Sequence, residues 1–284
     1  AFLQNIKELN NLKIRASWGQ LGNERIGNYP YQSTLEFNTP VLYQGGVVKG
    51  VQGVSAYQYV IKDISWETTE SKNFGVDARF FNNRLGASFD LYKKMTKDML
   101  LALQIPTYMG YSNPQQNAGK MHTKGWDLEL SWNDKINDFR YSVSANLSDY
   151  RSVMGDLKGT EFLGEKVKFQ DSEFDEWYGY RSLGIYQSVE SAENSPRTAN
   201  TVTVGDIQYM DISGPDGVPD GKISPEFDRV LLGGSLPRYL FGANFNAGYK
   251  NFDLSVFIQG VAKQKAMLTE EMVRPLRAQW YNVP

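Results

Sequence analysis

Several stretches of the chain alternate strictly between apolar and polar residues. The stretch Trp126–Trp132 has an apolar residue at every second position, and Phe139–Leu147 repeats the pattern after a short polar segment. Successive side chains of a β-strand point to opposite faces, so a period of two gathers the apolar side chains on one face. These stretches therefore predict strands with one apolar and one polar face, and the chain as a whole predicts an all-β fold.

The alternating stretches form hairpins with short turns, and long connections separate the hairpins. A first strand is predicted at Leu12–Trp18. Three hairpins follow: 74–80 with 85–91 through Asn82-Asn83, 126–132 with 139–147 through Asn133–Asp138, and 239–249 with 252–258 through Lys250-Asn251. Short turns at one end of the strands and long loops at the other are typical of an outer-membrane β-barrel.

The long connections predict loops before Ile64, at Met95–Lys124 and at Asp149–Pro237. A loop as long as the last one rarely lacks structure of its own, so we expect extra strands or a compact excursion within residues 149–237. Gly184–Val189 is predicted as one such strand. Residues 1–284 are otherwise taken as part of a single barrel domain.

The same alternation also fits a soluble β-sandwich, in which a second sheet covers the apolar face. Strand length favours the barrel, because Tyr239–Tyr249 spans roughly 33 Å at about 3.3 Å per residue. Tilted by about 40°, such a strand rises about 25 Å, the height of a barrel's lipid band. We predict a partial transmembrane antiparallel β-barrel with long extracellular loops, and keep a soluble carbohydrate-binding β-sandwich as the alternative. The opposite strand faces carry residues that suit water, among them Asp77, Arg79, Asp127, Glu129, Ser142, Ser144, Asn146, Asn244 and Asn246.

Composition excludes several classes of function. The formal net charge is −2, whereas a nucleic-acid partner would favour a basic surface. One histidine, His122, and no cysteine exclude most zinc, iron–sulfur and thiol chemistry. No continuous apolar stretch approaches the ~18 residues of a membrane helix. Because the chain starts at Ala1 without a signal segment and ends at Pro284 inside a predicted loop, we expect a piece of a longer protein.

Short motifs along nearly the whole chain resemble the SusC/RagA family of TonB-dependent outer-membrane transporters. They occur in the order expected for that family: LKIRASWGQLGN at 12–23, ISWETTESKNFGVD at 64–77, NNRL at 82–85, DLYKK at 90–94, NAG at 117–119, GDIQY at 205–209 and FDLSVF at 252–257. On these motifs the chain is similar to the C-terminal barrel portion of such a transporter.

The resemblance implies a barrel of about 22 strands occluded by an N-terminal plug, in the outer membrane of a Gram-negative bacterium. It further implies energisation by TonB, a SusD-like surface lipoprotein as partner, and oligosaccharides or oligopeptides as cargo. The chain departs from the family pattern because it lacks the plug, the TonB-contacting segment and the closing strands. We therefore expect it to supply wall strands and external loops to a parent protein, and not to transport by itself.

An Asp-rich segment at residues 211–228 contains four carboxylates among glycines: Asp211, Asp216, Asp220 and Asp228. Converging oxygen ligands near glycines are what calcium requires, so this segment is a candidate calcium site. Its spacing fails the EF-hand template, because Val218 and Phe227 occupy ligand positions. The alternative is a rigid turn cluster in which the aspartates accept hydrogen bonds from backbone amides, and the sequence favours this alternative.

A second cluster, residues 174–181, combines aromatic and charged side chains. Flat aromatic faces stack on sugar rings, and charged groups hydrogen-bond hydroxyls. The candidate ligand-binding residues are Asp175, Trp177, Tyr178, Tyr180 and Arg181, with Tyr108 and Tyr111 as weaker candidates. The alternative is that these aromatic side chains pack the excursion against the mouth of the barrel.

The sequence does not predict an enzyme. Asp175 and Glu176 would be the only reason to propose a glycoside hydrolase, but adjacent strand residues point to opposite faces, whereas paired catalysis needs facing carboxyl groups. His122 has no serine, cysteine or metal-ligand spacing around it and is predicted to lie at a strand edge. The P-loop, dinucleotide-binding and serine-hydrolase motifs are absent from the sequence.

Overall fold

A computed structural model describes residues 6, 8–24, 31–32, 34–38, 41–50, 52–56, 59–103, 105–159 and 161–268. Its main element is a seven-stranded antiparallel sheet in the order β1-β6-β7-β8-β9-β15-β16. Strands that are joined by a tight turn lie next to each other in this sheet. The seven strands are β1 (Leu9–Asn23), β6 (Glu67–Phe80), β7 (Leu85–Ala102), β8 (Gln115–Ile136), β9 (Phe139–Met154), β15 (Arg238–Tyr249) and β16 (Phe252–Lys263).

The remaining elements are short and lie in the long connections. Two small hairpins pair β2 (Glu36–Asn38) with β5 (Gly53–Ser55) and β3 (Val41–Gln44) with β4 (Val47–Gly50). A 3-10 helix covers Thr107–Met109. No helix in the described part of the chain is long and apolar enough to cross a membrane. Between β9 and β15 lie β10 (Lys166–Val167), β11 (Glu176–Tyr180), β12 (Ser182–Ile185), α1 (Val189–Asn194), β13 (Ile207–Tyr209) and β14 (Arg229–Gly234).

The strand register gathers the alternating apolar residues on one face of the sheet. A single cross-strand row runs Ile14, Val76, Phe89, Leu128, Leu147 and Phe241. This face is open: the side chain of Ile14 is 64% exposed and that of Ile258 is 57% exposed. The described residues contain no second sheet packed against it, as a β-sandwich would require.

The three predicted hairpins are confirmed, with turns at Asn82-Asn83 and Lys250-Asn251 as predicted. Asn82 and Asn83 both have positive φ, of 56° and 65°, as their tight turn requires. The turn predicted at Asn133–Asp138 is shorter than predicted, because β8 continues to Ile136 and β9 starts at Phe139.

One predicted connection is wrong. The stretch 95–124, predicted as a loop, instead continues β7 to Ala102 and belongs to β8 from Gln115. The ladder of backbone hydrogen bonds persists there although the side-chain alternation fades, so the pattern stops before the strand does.

Two smaller predictions also fail. His122 does not lie at a strand edge, because it pairs with Met95 on one side and Val153 on the other, inside the sheet. The predicted strand Gly184–Val189 ends at Ile185. Its last residues form the start of α1, where the Ser188 hydroxyl accepts a hydrogen bond from the Ser191 amide at 3.1 Å and caps the helix.

The buried core lies at the loop end of the sheet and not within its wall. Met99 and Leu101 of β7 pack with Met154 of β9 and Leu157, and Met154 and Leu157 are each only 1% exposed. Partly buried Met121, Phe162 and Phe174 complete the cluster. The long strands thus rise beyond the open apolar face and pack against the long connection that follows β9. The loop predicted from Asp149 starts too early, because residues 149–154 continue β9, so we call residues 155–237 the excursion.

Candidate functional site

Arg15 binds two carboxylates on the polar face of the sheet. Its guanidinium donates to Asp77 at 2.8 and 3.0 Å and to Asp90 at 2.8 Å. Arg15 lies opposite Gly75, and Gly75 lies opposite Asp90, so the arginine reaches across β6 to β7. A Cβ at position 75 would collide with Asp90 Oδ1 and come within 2.9 Å of Arg15 Cζ. Glycine therefore makes this ion pair across a strand sterically feasible.

The same arrangement recurs across β15. Arg140 of β9 donates to Asp253 of β16 at 3.1 Å, with Gly248 between them in the register. A Cβ at Gly248 would lie 2.6 Å from Arg140 Nε and 2.7 Å from Asp253 Oδ1. Nearby, the Ser255 hydroxyl donates to Asn246 at 2.7 Å. Charged and hydrogen-bonding groups on one face suit contact with water and polar solutes, and would be costly against lipid.

The excursion carries the predicted ligand-binding residues on and beside β11. Trp177 lies opposite Lys166 of β10, whose ammonium stands 4.7 Å from the indole ring centre. The indole N–H donates to the carbonyl oxygen of Lys265 at 2.8 Å. Trp177 is thus held in place by a cation on its ring and by a hydrogen bond at its polar edge.

Tyr178 and Tyr180 lie on the other face of β11 and meet residues that the sequence did not single out. The Arg229 guanidinium stands 4.8 Å from the Tyr178 ring centre, and Phe169 meets that ring edge-on at 6.5 Å. Tyr180 packs against Tyr209 of β13 at 5.0 Å between ring centres. Burial raises the pKa of the Tyr180 phenol, so its hydroxyl stays protonated and can donate a hydrogen bond.

Tyr209 and Arg229 were missed because their proximity depends on pairing between distant segments. Tyr209 ends the GDIQY motif, and Arg229 directly follows Asp228, so both lie in segments already marked by the sequence. The pairing of β11 with β14 brings Arg229 opposite Tyr180. No period or spacing within the chain predicts that contact.

Asp175 and Arg181 flank β11. The Asp175 carboxylate forms an ion pair with Lys168 at 3.2 Å, and its backbone has a positive φ of 54° before the strand begins. The neighbouring Glu176 is buried and accepts a hydrogen bond from the Glu173 amide at 2.9 Å. Both acids are engaged locally. The Arg181 side chain is exposed and has no partner in the described part of the chain.

Asp228 organises the Asp-rich segment. Its side chain is fully buried and accepts hydrogen bonds from the amides of Ile212 at 2.8 Å, Ser213 at 3.3 Å and Ser224 at 2.7 Å. Burial acts to raise the pKa of Asp228, but hydrogen bonds to the charged carboxylate outweigh it and hold the pKa below its ordinary value. Asp228 thus joins three separate backbone positions through one carboxylate.

Among the other predicted calcium ligands, Asp211 and Asp220 make similar local contacts, whereas Asp216 is exposed and its carboxylate has no hydrogen bond in the described residues. Asp211 Oδ2 accepts from the Gly221 amide at 2.7 Å, and Asp220 Oδ1 accepts from the Lys222 amide at 2.9 Å. Oδ1 of Asp211 is buried without a hydrogen-bond partner in the described residues. Within those residues, no group of three or more acidic, histidine or cysteine side chains is placed to hold a metal ion. Calcium binding by Asp211, Asp216, Asp220 and Asp228 stays a prediction.

Comparison with known proteins places this geometry in a family. Residues 7–261 match the family model of the TonB dependent receptor-like β-barrel. TonB-dependent receptor P26 of Formosa agariphila is 32% identical over 273 residues, which cover 91% of this chain and 26% of the relative. TonB-dependent receptor SusC of Bacteroides thetaiotaomicron is 25% identical, and the match covers 89% of this chain and 25% of SusC.

Solved structures agree with the sequence relatives. The RagAB peptide transporter superposes with a TM-score of 0.71 at 25% identity, covering 90% of this chain and 27% of the solved chain. The chain therefore spans about a quarter of the length of the relatives that it matches. Its open seven-stranded sheet is part of a β-barrel, which confirms the predicted fold and overturns the soluble β-sandwich. The chain belongs to the TonB-dependent receptor-like β-barrel family.

Proposed function

We propose that this chain forms part of the wall and external loops of an outer-membrane importer energised by TonB. The observation that carries the proposal is the unbroken apolar face, which runs in register across the sheet and is opposed by a face of ion pairs and hydrogen bonds. A sheet of this kind can contact lipid with its apolar face and a polar interior with its other face. Family membership supports the same assignment.

The proposed cargo is an oligosaccharide or oligopeptide, captured with a SusD-like surface lipoprotein. Support comes from two similar proteins: one is named SusC, and the other is described as the RagAB peptide transporter. Contact with TonB would be made by a part of the parent protein outside this chain. The mechanism makes no covalent bond: external loops and the lipoprotein capture the solute, and an energised plug opens a path along the polar wall.

The excursion is the proposed cargo-contacting surface. Tyr178 and Tyr180 offer aromatic rings on one face of β11, and Trp177 offers its indole on the other. Beside them Arg181 offers an exposed positive charge, and Asp175 a carboxylate that is paired with Lys168. An aromatic surface edged by charges can contact sugar rings and hydroxyls, and also peptide side chains and termini. The alternative that these residues pack the excursion is favoured for Trp177, whose indole N–H is already bound to Lys265.

Catalysis is not part of the proposal. The similar proteins are named as receptors and transporters. The two acids that would have to act as a glycosidase pair are engaged elsewhere, Asp175 by Lys168 and Glu176 by the Glu173 amide. A glycoside hydrolase would release reducing ends from a polysaccharide, and we expect none from the purified parent protein.

Native mass spectrometry on the full-length parent protein, extracted from outer membranes in mild detergent, tests this function. We expect a complex with a lipoprotein that retains an oligosaccharide or peptide, and the mass of the retained solute would name the cargo class. Recovery of the parent protein in the soluble fraction, alone and without detergent, would contradict the proposal.

A further inference from the structure

Four cations stand side by side on the apolar face of the sheet, where the run of apolar residues ends on the side nearer the excursion. Lys72 of β6 pairs with Lys93 of β7, which pairs with Lys124 of β8, which pairs with Arg151 of β9. We call these four residues the basic row. Directly opposed strand residues have Cβ atoms about 5 Å apart, so four positive charges stand in immediate succession.

The basic row marks the end of the apolar face. On β6, β7 and β8 each lysine is the next same-face residue after the last large apolar one, which is Phe74, Leu91 and Trp126 respectively. On β9 the buried Asp149 intervenes between Leu147 and Arg151. The change from apolar to basic therefore occurs at the same height on three neighbouring strands, and Arg151 continues the basic row on β9.

A groove of about 490 Å³ lies at this boundary. All four members of the basic row line it, together with the side chains of Phe74, Leu91 and Trp126. The surface of the groove is almost wholly apolar, and the residues that line it include both the apolar side chains and the basic row. A ligand that carries a hydrocarbon part next to an anion would match both the apolar groove and the cations that border it.

Nearby carboxylates neutralise only part of the charge. Glu70 binds Lys72 at 3.0 Å, and Glu173 binds Arg151 at 2.7 Å. The Asp149 carboxylate accepts hydrogen bonds from Nε and Nη2 of Arg238, so it is not available to the basic row. Glu70 also binds Lys97 at 3.6 Å, so it serves two lysines.

The two central lysines, Lys93 and Lys124, have no carboxylate partner among the described residues. Like charges directly opposite each other destabilise a sheet, because their repulsion is not offset by any local contact. An external anion placed between the two ammonium groups would remove that repulsion.

We propose that the basic row binds the phosphate of a membrane lipid whose acyl chains lie along Phe74, Leu91 and Trp126. A lipid fits better than a free anion, because the cations border directly on apolar side chains that a free anion would leave uncovered. The site also faces outward with the apolar surface, where the bilayer would be. The inference rests on the proposed function, since it requires this face to lie in a membrane.

The test compares two double variants of the full-length parent protein in dodecylmaltoside micelles. Lys93→Gln with Lys124→Gln removes the two unpaired cations of the basic row. The matched control, Lys13→Gln with Lys94→Gln, removes the same charge from the polar face of the same sheet. The probe is dioleoylphosphatidic acid, with dioleoylglycerol as the phosphate-free lipid, and retained lipid is counted by native mass spectrometry.

We expect the wild-type and control proteins to retain phosphatidic acid and not the diacylglycerol. The Lys93/Lys124 variant should bind phosphatidic acid about tenfold or more weakly, since each basic residue near a lipid surface contributes appreciably to binding of anionic lipid. That variant relieves repulsion, so its folded barrel band on an unheated denaturing gel should be undiminished. Inorganic phosphate alone should not displace the lipid.

Equal retention by the two double variants would overturn the inference, and so would displacement of the lipid by inorganic phosphate, which would indicate a free-anion site. If either result is found while the parent protein is still extracted from outer membranes with bound cargo, the lipid site is wrong but the proposed function stands. Recovery of the parent protein in the soluble fraction would overturn both.

Discussion

Gly75 lies between two charged side chains that reach across it. Because Arg15 and Asp90 meet over this position, the ion pair joins β1 to β7 without a direct backbone ladder between those strands. The polar face gains lateral cross-links in this way, and Gly248 serves the pair of Arg140 and Asp253 in the same manner. Each of these ion pairs therefore requires glycine at the position that it crosses.

Substitution of Gly75 by alanine should destabilise the barrel. The added Cβ would occupy the space of Asp90 Oδ1 and the Arg15 guanidinium, and overpacking of this kind costs about 1–3 kcal/mol. Thermal melting of the folded band on unheated gels would measure the change in the parent protein. Gly19→Ala in β1 is the matched control, because its Cβ would meet no atom within 4 Å and should leave the melting temperature unchanged.

Asp228→Asn should loosen the Asp-rich segment. The wild-type carboxylate accepts three backbone hydrogen bonds while buried, and loss of such bonds to a charged group costs about 1–3 kcal/mol. Amide hydrogen exchange at Ile212, Ser213 and Ser224 should accelerate. Asp216→Asn, at an exposed carboxylate with no hydrogen bond in the described residues, should leave these amides protected.

Asp228 should also make the stability of the Asp-rich segment depend on pH. The pKa of Asp228 is lower in the folded than in the unfolded chain, so its stabilisation is complete above the unfolded value and is lost as pH falls through the folded one. Protection of the amides of residues 212, 213 and 224 should therefore decline in acid. In Asp228→Asn the protection should no longer follow pH across that window, and an unchanged acid decline would contradict this role.

At the scale of elements, the alternation predicts strands only where the two faces meet different solvents. The hairpins 74–91 and 239–258 were predicted with their turns, because each strand there has an open apolar face and a polar one. Above the basic row both faces meet polar surroundings or the excursion, so the period of two disappears although β7 and β8 continue. Ladder hydrogen bonds carry no sequence signature, and this explains the erroneous loop at 95–124.

Arginine substitutions on adjacent residues of β8 should separate its two faces. Leu128 lies in the middle of the apolar row, where arginine near the bilayer midplane costs about 2–4 kcal/mol. Glu129 faces Ser88 and Asn146 on the polar side, where Glu129→Arg should change the unfolding free energy by less than about 0.5 kcal/mol. Unfolding in urea from lipid vesicles measures both. Tolerance of Leu128→Arg together with intolerance of Glu129→Arg would refute the assignment of faces.

At the scale of the whole molecule, the sheet and the excursion differ in how far sequence predicts them. The sheet follows from local pattern, because strands that are consecutive in the chain pair with each other, except at two long connections that contain further short strands, between β1 and β6 and across the excursion between β9 and β15. The excursion depends on distant pairings, such as β11 with β14 and β12 with β13, over connections that hold few periodic residues. Its aromatic residues were therefore predicted as a group, while their partners Tyr209 and Arg229 were not.

The excursion should contribute to cargo affinity through its aromatic surface. Tyr180→Ala removes a ring whose contacts are worth about 0.5–1.5 kcal/mol, so binding of the cargo by the parent protein should weaken by about two- to tenfold. Isothermal titration with the cargo identified by mass spectrometry measures this. Tyr43→Ala is the matched control, because Tyr43 is 76% exposed on β3, in a different loop, and is not a candidate ligand-binding residue. Equal affinity of the two variants would place the cargo elsewhere.

Arg181 should decide between the two cargo classes. Its exposed guanidinium has no partner in the described residues, so it is available to a peptide carboxylate but gains less from a neutral sugar. Arg181→Gln should therefore weaken binding of an acidic peptide about two- to fivefold, by loss of an exposed ion pair of about 0.5–1 kcal/mol, and should change binding of a neutral oligosaccharide by a smaller factor. The same variant at raised ionic strength should lose the salt dependence seen with wild type, because surface ion pairs are screened. Unaltered peptide affinity in Arg181→Gln would remove this residue from the cargo-contacting surface.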